Sequence, residues 1–402
     1  MRSISSYAEA LLCAAIWACA TTGVQAQTFK LGVVLPKTGI YAPLGKFFEP
    51  GLKVGADEVN AAGGILGRKV EILLRDDASN STRALLAAKE LVGDQNVDAI
   101  YPSNLSGIAL ATLPYLTEQK VISITNGSSE LIGDPKKFPY SFMLSDLGFK
   151  RVAPVMEAIR KLGGKRVGIL VSTNPPQIAL GQGLVADLPK KGMTVASYIT
   201  YSDPARDFTP QLQKLRDEGA DIVVFDGMGR EGIRLVMAGM QTLGWSAKVV
   251  TEPAVLSGDI VSLVPQSYAA NFYSVNALAG TRTSARRDPA MQAFLDKLKA
   301  YGPVENLAWS ALARDAVFVL KWGFETAQKQ YGNTSPDSVK AALDQLATTT
   351  NYPASYSLIF GNPKYSAADH TTLNADYSKY WSLITVSPLV DGTYAGEPLL
   401  IP

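Results

Sequence analysis

The chain is poor in the side chains that nucleophilic enzymes, disulfide frameworks and soft-metal sites require. It has two cysteines and one histidine in 402 residues. Cys13 and Cys19 both lie in the N-terminal leader, so the chain beyond it has no thiol, no disulfide and no cysteine metal site. Around a lone His370, with no cysteine left, no Ser/His/Asp or Cys/His set can be assembled. His370 follows Asp369 in a turn-like stretch, where a structural or surface role is expected. An excess of one charge is also missing, with 38 Lys+Arg against 36 Asp+Glu, and there is no basic run long enough to argue for nucleic acid. The longest apolar stretch after the leader, Leu307 to Phe324, contains Arg314, Asp315 and Lys321, so it reads as a buried helix and not a membrane span. Low-complexity segments are absent.

The first residues look like an export signal. Arg2 supplies a weak positive start, Ala8 to Ala20 is apolar except for Glu9, and Val24-Gln25-Ala26 fits a small-residue cleavage site that would leave Gln27 as the new terminus. A lipid anchor on Cys19 is the poorer reading, because bulky Trp17 stands two positions before it where a small residue is expected. The expectation is a soluble, monomeric protein released into the periplasm.

With 47% hydrophobic residues, the remaining length suits two medium cores. From Phe29 onward, short β-rich runs alternate with helical periodicity, the pattern of α/β parallel sheets covered by helices. The strand candidates fall into two sets. The first is Phe29 to Leu35, Lys69 to Leu74, Val97 to Tyr101 and Val121 to Thr125; the second is Arg166 to Val171, Thr194 to Thr200, Asp221 to Phe225 and Lys248 to Thr251. Gly63-Gly64 and Gly67 read as a helix stop and a tight turn, and Leu144 to Gly148 as a hinge. Helices are expected over Met291 to Tyr301, Leu307 to Gln330 and Val339 to Leu346, before a turn-rich, strand-like stretch from Tyr356 to Tyr394.

Ligands of open parallel sheets sit beyond the carboxyl ends of the strands. The loops to search are therefore Pro36 to Gly45, Pro102 to Gly107 and Asn126 to Ser129, together with Ser172 to Leu180, Asp226 to Arg230 and Glu252 to Gly258. Ser106-Gly107 precedes the apolar helix Ile108 to Leu116, so its hydroxyl and the free N–H groups of the first turn could hold an anion, although a plain N-cap serine would look the same. Asn126-Gly127-Ser128-Ser129 offers further donors. Glu252, between a buried strand and Pro253, could pair with a ligand ammonium or simply be a surface acid. A rival reading comes from Gly227-Met228-Gly229-Arg230-Glu231-Gly232, which satisfies the dinucleotide-binding fingerprint and would imply an oxidoreductase. Asp226 beside the would-be pyrophosphate and the export signal weaken it.

The ordered strings Leu31-Gly32-Val33-Val34-Leu35-Pro36, Gly51-Leu52-Lys53-Val54-Gly55-Ala56-Asp57-Glu58-Val59-Asn60-Ala61-Ala62-Gly63-Gly64-Ile65 and Arg75-Asp76-Asp77 resemble the branched-chain amino-acid (Leu/Ile/Val) binding proteins of ABC importers. The resemblance continues at Ser106-Gly107, Lys165-Arg166-Val167 and Asp369-His370. It implies a type I periplasmic binding protein with two doubly wound Rossmann-like lobes, three crossovers and closure on ligand. The implied lobes are residues 28–146 with 278–352, and 147–277 with 353–402. It further implies no catalysis, no cofactor, and a membrane permease as partner; a ligand-sensing regulator on the same fold is the alternative. By the same resemblance Ser106 and Thr125, Asn126, Gly127 and Ser128 would hold a ligand carboxylate, Glu252 an α-ammonium, and Tyr41 would complete the set. Leu44, Leu180 and Met228 stand where such proteins place aromatic rings, which implies a wider, more aliphatic pocket and bulkier carboxylates, aromatic acids included.

Overall fold

A computed structural model describes residues 27–145, 148–227, 230–251, 262–281, 288–359, 361–371 and 381–385, with short stretches at 389–390, 393–394 and 399–400. The expected export signal, with Cys13 and Cys19, lies outside the described residues, as do Met228 and Glu252.

The first unit runs β1 (Phe29–Leu35), α1 (Ala42–Ala61), β2 (Val70–Asp76), α2 (Ser81–Gly93), β3 (Ala99–Tyr101), α3 (Ser106–Glu118), β4 (Ser123–Thr125) and β5 (Ser141–Met143). Its sheet is parallel in the order β2-β1-β3-β4-β5. The fifth strand is not among the expected four. Ser-Phe-Met is too short to carry a period of its own, and its pairing with Ser123 to Thr125 makes it a strand.

The second unit repeats the plan with α4 (Val152–Lys161), β6 (Arg166–Ser172), α5 (Pro175–Asp187), β7 (Thr194–Tyr201), α6 (Thr209–Asp217), β8 (Ile222–Asp226), α7 (Arg230–Thr242), β9 (Lys248–Thr251), the short α8 (Gln266–Ala269) and β10 (Phe272–Ala277). The order β7-β6-β8-β9-β10 matches that of the first sheet. In both, the strand order reverses beside the first strand of the unit, which opens a crevice at its carboxyl end. Then come α9 (Pro289–Leu298), α10 (Leu307–Tyr331), α11 (Pro336–Leu343) and β11 (Trp381–Thr385), followed by the two-residue strands β12 (Leu389–Val390), β13 (Thr393–Tyr394) and β14 (Leu399–Leu400). β11 adds antiparallel to β10, and β14 to β11. The α/β architecture of two doubly wound lobes is as expected.

Two helices tie the lobes together. α10 starts at Asn306, whose Oδ1 accepts from Trp309 N–H at 3.0 Å, and ends at Gly332 in the left-handed conformation. Its first turns bury Leu307, Ala311 and Leu312 with the second lobe's core, and its later turns bury Val317, Leu320 and Phe324 with the first. α1 lies along it at backbone distance. A Cβ on Gly51 would stand 2.1 Å from Ser310 O, and one on Gly55 2.8 Å from Arg314 O, so neither position admits a side chain without separating the helices.

Some packing departs from the expected lobe boundaries. Tyr365 and His370 lie on the first lobe: Tyr365 Oη donates to Met143 O, Met143 N–H to His370 O, and the His370 ring stacks on Phe142 at 4.2 Å. His370 is fully buried between Ser141 O at 2.9 Å and Asp344 Oδ1 at 2.8 Å, so of the two expected roles it has the structural one. In the other direction, α9 buries Met291, Phe294 and Leu298 with the second lobe's core.

Candidate functional site

A cavity of about 20 Å³ lies between the lobes, beyond the carboxyl ends of β3 and β4 and against α1, α5 and the start of α10. It is lined by Leu44, Phe47 and Phe48 of α1, Asn104 and Ser106 after β3, and Asn126 and Ser128 after β4. Arg151, Gln177 and Trp309 complete the lining.

Ser106 is the first helical residue of α3; Leu105 occupies the cap position and makes no side-chain cap. The plain N-cap explanation therefore does not hold. The Ser106 hydroxyl instead accepts from Ser128 N–H at 2.9 Å, which stitches the β3 and β4 loops together and leaves its own hydrogen to donate into the cavity. Gly127 makes the stitch possible, because a Cβ there would meet Ile132 Cδ1 at 2.8 Å and Ser106 Oγ at 3.2 Å.

Thr125 and Asn126 are structural at their side chains. The buried Thr125 hydroxyl donates to Ser103 O and accepts from Gly127 N–H. Asn126 accepts from Tyr101 Oη at 2.9 Å and donates to Leu144 O and Leu312 O, so its amide is spent joining β4 to α10. Leu44 lines the cavity as expected. Leu180 does not: it is packed in the second lobe's core. Tyr41 sits at a separate cavity of about 70 Å³, lined also by Ile40, Asp203, Phe208, Glu231 and Leu235. Its hydroxyl donates across the cleft to Asp203 Oδ2 at 3.3 Å, and burial, with the Asp203 charge, pushes the phenol up to about 12.

Four lining features were not singled out from sequence. Arg151, 2% exposed, is the sole charged side chain among the lining residues. Asn104 brings a buried Oδ1 that has no partner among the described residues. Gln177 reaches Asp226 Oδ1 through Nε2 at 3.4 Å. The aromatic wall of Phe47, Phe48 and Trp309, with Phe48 edge-on to Trp309 at 5.6 Å, corrects the expectation of an aliphatic pocket. Asn104 follows β3, where open parallel sheets hold their ligands; the rings are on helices, where local pattern does not tell a cleft wall from core.

Two glycines of the dinucleotide-like string, Gly227 and Gly232, have packing reasons. A Cβ on Gly227 would stand 1.9 Å from Tyr201 Oη, and one on Gly232 2.8 Å from Phe225 Cζ. Among the described residues no helix is long and apolar enough to cross a membrane.

Comparison with known proteins agrees with this fold. Residues 28–378 match the model of the periplasmic binding protein family. A Leu/Ile/Val-binding protein homolog of Brucella melitensis is 26% identical over 303 residues, covering 74% of this chain and 78% of the relative. Among solved structures, a periplasmic binding protein type 1 from Bordetella pertussis superposes with a TM-score of 0.77 at 19% identity, covering 93% of this chain and 100% of that one. An ABC-transporter solute-binding protein of Rhodopseudomonas palustris, in complex with 4-hydroxybenzoate, gives 0.73 at 21% identity over 93% and 96% of the two chains. At these identities the structural likenesses establish the fold.

Proposed function

The chain belongs to the periplasmic binding protein family, and from that premise we propose that it captures a small organic carboxylate between its lobes and delivers it to the membrane permease of an ABC importer. The observation that carries this reading is the lining of the interlobe cavity: a buried guanidinium, Arg151, with the Ser106 hydroxyl and the Asn104 amide, against a wall of three aromatic rings. The cationic and hydroxyl donors suit a carboxylate, and the rings suit an aromatic or branched apolar body. Relatives that bind branched-chain amino acids and a structural neighbour that holds 4-hydroxybenzoate support the same class. Glu252 is the candidate for an α-ammonium and would favour the amino-acid end of that class. The leader, and export through it, belong to this reading, as does the absence of catalysis.

A cavity of about 20 Å³ holds little more than one water, so ligand entry requires the lobes or the rings to move apart. In this reading the segment through Tyr365 and His370, which docks on β5, moves with the first lobe.

A thermal-shift and calorimetric screen of leucine, isoleucine, benzoate and 4-hydroxybenzoate tests the proposal. At least one should stabilise the protein, by about 2.7 kcal/mol at a hundredfold excess over its dissociation constant. Arg151→Met should weaken that ligand by about 1.5–3 kcal/mol, the usual range for a lost charged hydrogen bond. No stabiliser among the four, or a tight complex indifferent to Arg151→Met, would sink it.

A further inference from the structure

At the carboxyl end of β2 the chain turns through Asp77, Ala78 and Ser79, the last two at φ 51° and 61°. Asp77 is fully buried and has a defined set of partners. Its N–H donates to Leu35 O at 3.1 Å, its Oδ1 accepts from Ser79 N–H at 2.7 Å, and its Oδ2 accepts from the Ser103 hydroxyl at 3.3 Å. Ser103 is also fully buried, at φ 148°, a conformation that L side chains resist.

From Ser103 the bonds run on to the cavity. Its hydroxyl accepts from Leu105 N–H at 3.3 Å, immediately before Ser106. Its carbonyl accepts from the Thr125 hydroxyl, which in turn accepts from Gly127 N–H at 3.0 Å. The Ser106 to Ser128 stitch closes the path.

We infer that Asp77 is a positioning residue for the ligand cradle, holding the loops 103–106 and 125–128 in register through Ser103 and Thr125. The inference rests on the reading of the interlobe cavity given above. A carboxylate suits this place because it only accepts, and so takes the Ser79 N–H and the Ser103 O–H together. An amide would have to present its NH₂ either to the Ser79 N–H or to the Ser103 oxygen, and in the second case the Ser103 O–H would lose its acceptor. Holding an anion there is costly: burial, with the nearby charge of Asp76, raises the Asp77 carboxyl to about 6. A residue kept only for stability would better be neutral. A buried anion that braces a strained serine beside a binding site is placed for the site.

Asp77→Asn keeps the volume and removes the charge. Three readouts test it: melting temperature near neutral pH, hydrogen exchange across residues 102–107 without ligand, and calorimetric affinity for isoleucine and 4-hydroxybenzoate. Ser103→Gly, which relaxes φ but loses the hydroxyl, and Arg151→Met are measured beside it. Asp77→Asn should melt at or above wild type, exchange about tenfold faster over 102–107 and bind about tenfold more weakly, the scale of one charged hydrogen bond. Ser103→Gly should reproduce the exchange and affinity changes. Unchanged exchange overturns the inference whether or not a probe binds. So does an unchanged Asp77→Asn affinity beside a weakened Arg151→Met, an outcome that leaves the cavity reading intact. A melting temperature that falls together with affinity would make Asp77 structural and also overturn it. If wild type binds none of leucine, isoleucine, benzoate and 4-hydroxybenzoate, the cavity reading fails and the positioning role fails with it.

Discussion

Ser106 was legible because a serine that opens an apolar helix just after a strand offers a hydroxyl beside free backbone N–H groups. Arg151 was not, since a basic residue heading an amphipathic helix ordinarily faces solvent. It is buried here because residues 148–151 form a 3₁₀ turn pressed against α5, so close that a Cβ on Gly148 would stand 2.5 Å from Pro176 O. Leu180, packed in the second lobe's core, shows the converse: a leucine in a cleft loop and a leucine in a core look alike in sequence. Asp77 supplies the prediction at this scale. Its carboxyl is raised from the ordinary 3.8 to about 6, chiefly by burial, so the folded state holds the proton more tightly than the unfolded state. Its contribution to stability is therefore fully present below about 4 and lost as pH rises through about 6. Chemical denaturation at pH 4.5 and 7.5 should show wild type losing more stability across that window than Asp77→Asn. Equal losses would mean that Asp77 is not a raised, buried acid.

Helices α1 and α10 decide where the aromatic wall stands. Phe47 and Phe48 occupy one, Trp309 the other, and the two are locked by the Ser310 hydroxyl donating to Phe47 O at 2.8 Å. Periodicity marked both as helices, and α10 matches its expected span almost to the residue. What periodicity could not give was their contact through Gly51 and Gly55, because glycine in a helix is read as tolerated and not as a site of approach. Gly51→Ala should cost about 1–3 kcal/mol through overpacking, and should weaken ligand binding as well by shifting the rings. Urea denaturation and calorimetry check the two parts; wild-type values for both would mean that the helices separate freely. Strands β5 and β10 show the other limit, since pairing to a neighbour, more than local pattern, makes a short run a strand.

At the scale of the molecule, a hydrogen bond crosses the cleft between the lobes. Tyr41 Oη reaches Asp203 from one lobe to the other, and Asn174 Nδ2 lies 3.5 Å from the same carboxylate. Burial raises the Asp203 carboxyl, and the hydrogen bonds from Tyr41 and Asn174 lower it in part. Tyr41→Phe removes one interlobe bond without changing either core, so it should weaken closure by about 0.5–1.5 kcal/mol. Small-angle scattering with and without the identified ligand should show a larger mean radius for the variant at sub-saturating ligand. Identical profiles would assign the bond no part in closure.

The α/β alternation, the two repeated units, the shortage of thiols and histidine and the loops that face the cleft were all determined by the sequence, because each follows from local periodicity, composition or chain order. The tertiary structure alone decided which residues line the cleft and which support it. Burial of Arg151, the spent amide of Asn126, the aromatic wall and the buried Asp77 all depend on residues far apart in the chain coming within a few ångströms of one another, and no local pattern encodes that distance.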